Sequence, residues 1–201
     1  MERLNMLGVT FSVPRVFIVL AGRNNRSKML STSGENPMAK QPKDLNDLFH
    51  ETLKDIYFAE KQILRALPKM ARAANSEDLR QAFELHRTQT EGQIERLESV
   101  FEIIGKTPRG KTCDAIIGIL DEGKEVMEDF AGSDALDAGL LAGAQAVEHY
   151  EISRYGTLRA WAEQLGLADA VPLLEATLEE ERKTDQILSK LATGRINAAA
   201  A

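Results

Sequence analysis

The sequence predicts an all-α protein: four long helices folded as two antiparallel αα-hairpins, with one extra helix between the pairs. Three observations lead there. From Asp44 onward apolar residues recur at three- and four-residue spacings, the period of one face of a helix. No stretch alternates apolar and polar residues with β-branched enrichment, so no sheet is expected. Turn-forming clusters at Asn75–Asp78, Gly105–Lys111, Gly132–Asp134 and Gly166 cut the chain into segments of bundle length.

The first helix is expected over about 44–73, with Asp44 as N-cap and Leu45, Phe49, Leu53, Ile56, Glu60, Ile63, Leu64 and Leu67 along its stripe. Pro68 lacks the amide that would bond the Leu64 carbonyl, which predicts a kink. Asn75-Ser76-Glu77-Asp78 supplies capping residues for a second helix over about 77–104. Leu79, Phe83, His86, Thr90, Gln93, Leu97, Val100 and Ile104 share one of its faces. After the loop Gly105–Lys111 a shorter helix, about 113–130, carries Ile116, Ile117, Leu120 and Met127. The fourth, about 134–165, turns Leu141, Ala144, Gln145, Glu148, Ile152, Tyr155 and Ala162 inward. The fifth, about 169–192, does so with Leu174, Leu178, Glu181, Asp185 and Leu188. The bundle is thus expected over 43–193, followed by a flexible C-terminal tail at 194–201.

Residues 1–42 are of another kind. Val16–Ala21 is apolar but far short of the ~20 residues that span a bilayer. Pro14 and Arg15 interrupt the approach to it, and Ala21-Gly22-Arg23 is a poor cleavage motif for a secretory signal. Asn24 to Pro42 is rich in Ser, Asn, Gly, Pro and Lys. The segment reads as a disordered leader or a mis-called start, with Met29 and Met38 as alternative starts; a cleaved or membrane-contacting segment is the competing reading.

Composition narrows the function. The 201 residues carry a net charge of −6, which argues against a nucleic-acid binder. The single cysteine, Cys113, cannot form an intrachain disulfide and excludes a cysteine-cage zinc site or an iron–sulfur cluster. With no histidine beside it in sequence, it is expected to pack rather than to act as a nucleophile. His50, His86 and His149 are too few for a histidine-dominated centre, so carboxylates are the abundant ligand type.

Those carboxylates interrupt the apolar stripes. Glu60 follows Leu53 by seven residues and precedes Leu67 by seven; Glu148 stands likewise between Leu141 and Tyr155, and Glu181 between Leu174 and Leu188. Glu151 lies one turn from Glu148, and Asp185 one turn from Glu181. Burying one ionised carboxylate costs on the order of 20 kcal/mol by the idealised Born estimate and several kcal/mol in practice. No Lys or Arg sits centrally on these stripes to offset that cost. An oxygen-coordinated metal pair does so most economically, and carboxylates borne by a four-helix bundle match the ferritin-like di-iron or di-manganese plan. The competing explanation is that the acids are protonated or hydrogen-bonded, with Tyr57, Tyr150, Tyr155 and Gln145 within reach as partners.

On the second helix His86 is the one histidine placed to be a ligand, while Glu91 projects away and His149 is expected at the rim. The separation Glu148 to Glu181 is 33 residues; a repeated hairpin would place the corresponding second-helix residue at Gln89 or Gln93. An amide there is a weaker, neutral ligand, which predicts one poorly held metal position. Glu179-Glu180 and Arg182-Lys183 read as a solvated helical face around Glu181.

The segments DIYFAEKQILRALPKMARAA (55–74), GQIERLESVFE (92–102), KTCDAIIGIL (111–120), QAVEHYEISRYGTLRAWAEQLG (145–166) and LLEATLEEERKTD (173–185) closely resemble the YciE/YciF-like bacterial stress proteins. The resemblance covers essentially all of 43–193. It implies a ferritin-like fold, a dimeric helical bundle, a rubrerythrin-like metal site and a role in general or osmotic and oxidative stress. Carried over by motif, the ligands are Glu60 in AEKQ, Glu148 and Glu151 in VEHYE, and Glu181 with Asp185 in LEEERKTD. Family members read close to HLEET where this chain has His86-Arg87-Thr88-Gln89-Thr90, so Gln89 replaces an acid.

The expectation is therefore a cytoplasmic homodimer that holds di-iron or di-manganese through Glu60, His86, Glu148, Glu151, Glu181 and Asp185, handling peroxide, oxygen or the metal itself. The dimer contact is expected on the 113–130 helix. The alternative is a non-enzymatic helical stress or scaffold protein whose core acids hold no metal.

Overall fold

A computed structural model describes residues 42–201, and the expected leader falls, but for Pro42, outside the described residues. These contain five substantial helices and no strand: α1 (Leu45–Ala73), α2 (Glu77–Ile103), α3 (Asp114–Asp129), α4 (Leu136–Gln164) and α5 (Val171–Leu191). Helix α1 packs on α2 and α4 on α5, giving two antiparallel hairpins, while α2 meets α5 and α1 meets α4 to close a four-helix bundle. Helix α3 crosses between the hairpins and lies against α1 and α4. This is the four-helix bundle of two αα-hairpins that the periodicity implied, in the ferritin-like form that the family resemblance implied.

Helix α1 starts in a capping box: the Asp47 amide donates to Asp44 Oδ1 at 3.0 Å, and the Asp44 amide donates to Asp47 Oδ2 at 3.1 Å. Pro68, where a kink is expected, lies within an unbroken helix. Helices α2 and α4 end alike. Gly105 (φ 65°) and Gly166 (φ 71°) take the left-handed conformation, and the amides of Lys106 and Leu167 reach back to the carbonyls of Phe101 and Ala162. The loop after α2 is strapped to α1: the Lys111 amide donates to the Lys54 carbonyl, and a Cβ at Gly110 would meet Phe58 Cβ at 3.1 Å. Cys113 caps α3, its sulfur accepting from the Ile116 amide, and is buried as expected of a packing cysteine.

Phe49, Leu53, Ile56, Ile63, Leu79, Phe83, Leu97, Leu140, Tyr155, Leu158 and Leu174 fill the interior. Each fully buried large apolar side chain contributes roughly 1.5–3 kcal/mol, and together they form the apolar wall that leaves no bulk water beside the polar residues embedded in it. Beyond α5 the chain stays helical through a π-helical turn (Ala192–Ile196) and the short α6 (Asn197–Ala199), with Ile196 buried. The boundary expected at 193 therefore falls inside helix, because the shift in winding turns Ile196 back onto the bundle. Among the described residues no helix is long and apolar enough to cross a membrane.

The turn of the first hairpin is tied to the start of the second. Buried Asp137, in the first turn of α4, accepts from the amides of Asn75 at 2.8 Å and Ser76 at 2.7 Å. Replacing it with alanine strands two donors that a charged acceptor had satisfied. Asp137→Ala is expected to cost about 2–4 kcal/mol in urea unfolding, and Asp137→Asn less, whereas a loss within experimental error would show that the link carries no weight.

Candidate metal centre

Halfway along the bundle each long helix turns polar side chains inward. Glu60 comes from α1, His86 and Gln93 from α2, Glu148 and Glu151 from α4, and Glu181 from α5; His86 is 3% exposed and the others 0%. His86, Glu148, Glu151 and Glu181 each bring one ligand atom into a group whose members all lie within 4.8 Å of one another. His86 Nδ1 stands 3.1 Å from Glu148 Oε1, and Nε2 stands 4.0 Å from Glu151 Oε2. Glu60 faces Glu151, as Glu148 faces Glu181.

The electrostatics follow from that crowding. Burial pushes the Glu60 carboxyl up to about 7, and burial with the Glu60 and Asp185 charges pushes Glu148 up to about 8. Glu151 and Glu181 are raised well above the ordinary carboxylate range by burial and then by the neighbouring acids. Burial lowers His86 to about 4, which leaves the imidazole neutral and able to offer a lone pair. Tyr155, fully buried, donates its hydroxyl to Glu60 Oε1.

These residues also hold the structure's unmet hydrogen-bonding capacity. Among the described residues, every buried side-chain nitrogen or oxygen without a partner belongs to this group: Glu60 Oε2, His86 Nε2, Gln93 Oε1 and both oxygens of Glu148, Glu151 and Glu181. Native interiors leave such atoms unpaired rarely, because each costs about 1–3 kcal/mol. A buried cluster of oxygens and one imidazole, without hydrogen-bond partners in the protein, fits a metal ion in donor chemistry.

Five of the six ligands expected from sequence come together here; Asp185 does not. Four residues after Glu181 the helix has turned 40° past one revolution, so Asp185 is half-buried at the rim. There it accepts from Gln145 Nε2 at 3.2 Å and lies 3.3 Å from His149 Nε2, on a side chain 70% exposed. Of the hydrogen-bond partners considered, only Tyr155 serves the cluster: Tyr57 donates to Glu98, and Tyr150 to Asp55. Glu91 is exposed, as expected.

The second-helix ambiguity is resolved by burial. Gln89 is half-buried and accepts from Thr184 Oγ1 at 3.4 Å, whereas Gln93 faces the interior. Glu180, expected on a solvated face, is instead partly covered: it pairs with Arg96 and accepts from Gln93 Nε2 at 3.2 Å. The available signal was Arg96, three residues beyond Gln93, which needs an acid on the facing helix.

The family model described as "Domain of unknown function (DUF892)" matches residues 44–201. The chain belongs to that family. It is 48% identical over 157 residues to Protein YciF of Escherichia coli K12, covering 77% of this chain and 94% of that protein. The crystal structure of the E. coli stress protein YciF superposes with a TM-score of 0.74 at 46% identity, covering 78% of this chain and 99% of that one. YcfI of Rhodopseudomonas palustris, described as a candidate structural protein, gives a TM-score of 0.72 at 45% identity, with 76% and 97% covered. A Xanthomonas campestris protein at 21% identity, TM-score 0.61, with 78% and 96% covered, shares the fold.

The raised carboxyls make the metal-free protein sensitive to pH. Their folded values exceed the ordinary 4.5, so the folded state holds extra protons, and this contribution is lost as pH rises through about 7 to 8. His86 acts oppositely, since its lowered value removes stability as pH falls from 6.5 toward about 4. Four acids outweigh one histidine. The melting temperature of the metal-free protein is expected to fall between roughly pH 5 and pH 8; a flat profile there would show that the core acids ionise without penalty.

Proposed function

We propose that this DUF892 chain is a stress-response metalloprotein that holds a pair of iron or manganese ions in its core. Glu60, His86, Glu148, Glu151 and Glu181 are the ligands in this reading, and oxidants or the metal itself are what the protein handles. The supporting observation is that, among the described residues, the unpartnered buried side-chain nitrogens and oxygens gather in one place, on four helices. The stress role rests on the likeness to YciF.

The ligand set favours iron or manganese over calcium or magnesium, because one imidazole joins the carboxylates. When bound, such a pair supplies Lewis acidity and one-electron redox chemistry. The chain's own residues do the rest. The carboxylates neutralise the cations, neutral His86 donates a ring nitrogen, and the Tyr155 hydroxyl fixes the orientation of Glu60. The apolar side chains of Leu53, Ile56, Leu97 and Leu178 keep bulk water from competing for the ligands. Metal binding must displace protons from the raised carboxyls, so affinity increases with pH.

A second reading, a metal-free scaffold, draws support from the facing acid pairs, which can share protons, and from the description of the R. palustris relative. Metal content separates the two. Protein made in iron- or manganese-supplemented medium is expected to carry about two ions per chain by elemental analysis. A chelated sample should regain roughly 5–10 °C of melting temperature with Mn(II) at a hundredfold excess over its dissociation constant. Glu148→Gln and Glu181→Gln should abolish that gain while folding normally, because an amide needs no cation beside it. Absence of metal with no thermal response would leave the scaffold reading standing.

The partner in this proposal is a second copy of the chain, in the cytoplasm, docked through α3 and its C-cap, where Ile117 and Phe130 are 36% and 44% exposed. Light scattering is expected to give twice the chain mass, and Ile117→Lys combined with Phe130→Lys should halve it. A double variant that keeps the wild-type mass would move the seam elsewhere.

A further inference from the structure

We infer that Gln93 is the α2 oxygen ligand of this centre, a neutral donor that matches the site to two divalent cations. The inference rests on the metal reading above and adds a residue and a charge state to it. Gln93 is fully buried two helical turns beyond His86, and it follows Glu60 by the 33 residues that separate Glu148 from Glu181. Its amide has one orientation. Nε2 donates to Glu180 Oε2 at 3.2 Å, and a carboxylate flanked by a guanidinium only accepts. Arg96 holds that carboxylate in place, pairing with Glu180 while its Nε donates to Thr177 Oγ1 at 2.9 Å. Oε1 is thereby directed away from Glu180 and has no partner.

The other polar groups of α2 are already engaged. Thr90 Oγ1 donates to the His86 carbonyl at 2.9 Å, and Gln89 is bonded to Thr184. Besides His86 Nε2, Gln93 Oε1 is the buried side-chain atom of α2 left free to bind an ion. Its neutrality has a consequence. Glu60, Glu148, Glu151 and Glu181 supply four negative charges when ionised, which cancel two divalent cations and leave two trivalent ones undercompensated. A glutamate at this position would add a fifth. The centre is accordingly biased toward the divalent state, and Gln93 sets that bias.

The test compares wild type, Gln93→Leu and Gln93→Glu, each loaded anaerobically with Co(II) or Fe(II). Wild type should bind about two ions per chain. Gln93→Leu should bind one of them about tenfold to a hundredfold more weakly, with a changed Co(II) visible spectrum. Gln93→Glu should restore both ions and lower the reduction potential of the iron pair, since the added charge favours the trivalent form. Two equally tight ions and an unchanged spectrum in Gln93→Leu would overturn the inference while leaving the metal reading intact. Should Gln93→Leu fail to fold, an unchanged potential in Gln93→Glu would overturn it. A wild type without metal would overturn both readings together.

Discussion

Four carboxyl groups confined with one imidazole inside an apolar bundle form the constraint on which the rest of this protein turns. Each acid alone would cost several kcal/mol to bury as an anion, and their proximity adds repulsion. The chain has two ways to meet that cost, holding protons or holding cations, and the first is lost progressively as pH rises into the neutral range. Charge state, proton content and folding stability are therefore linked through one small volume. No lysine or arginine stands among the clustered acids; Arg96, paired with Glu180, acts on Glu60 from outside the cluster and favours its ionised form.

The surrounding architecture serves this volume in layers. Two hairpins bring four helices to one level, so that each supplies at least one donor. Polar partners stand behind several of them: Tyr155 behind Glu60, and the Arg96–Glu180–Thr177 group behind Gln93. Helix α3 and the strapped loop before it cover the seam between α1 and α4 without contributing to the cluster. The centre thus draws its geometry from rigid elements rather than from loops, the arrangement in which donor positions are held best.

Periodicity alone revealed most of this. Glu60, Glu148 and Glu181 each stand seven residues from apolar neighbours on both sides, and such a register forces a side chain inward whatever its chemistry. His86 followed for the same reason. A helical wheel misplaces Asp185 because a position four residues on still lies within the inward arc drawn there, whereas α5 turns Thr184 and Leu188 to the interior and leaves Asp185 at the edge of that stripe. Gln89 and Gln93 could not be separated by similar logic: they lie 40° apart, and the choice depends on Glu180 and Thr184 across the interface. Ile196 is not legible as a core residue in the sequence, since Gly194 and the change of winding mask the continuation of the helix.

The buried Asp137 clasp has a mechanical meaning. It joins the bend of one hairpin to the first turn of the other, and so prevents the two halves from sliding along their common axis. Sliding by a single helical turn moves side chains about 5.4 Å, more than the 4.8 Å within which His86, Glu148, Glu151 and Glu181 gather. A carboxylate remote from the centre thereby acts as its vernier stop, and alignment of the donors depends on a latch at the far end of the rods.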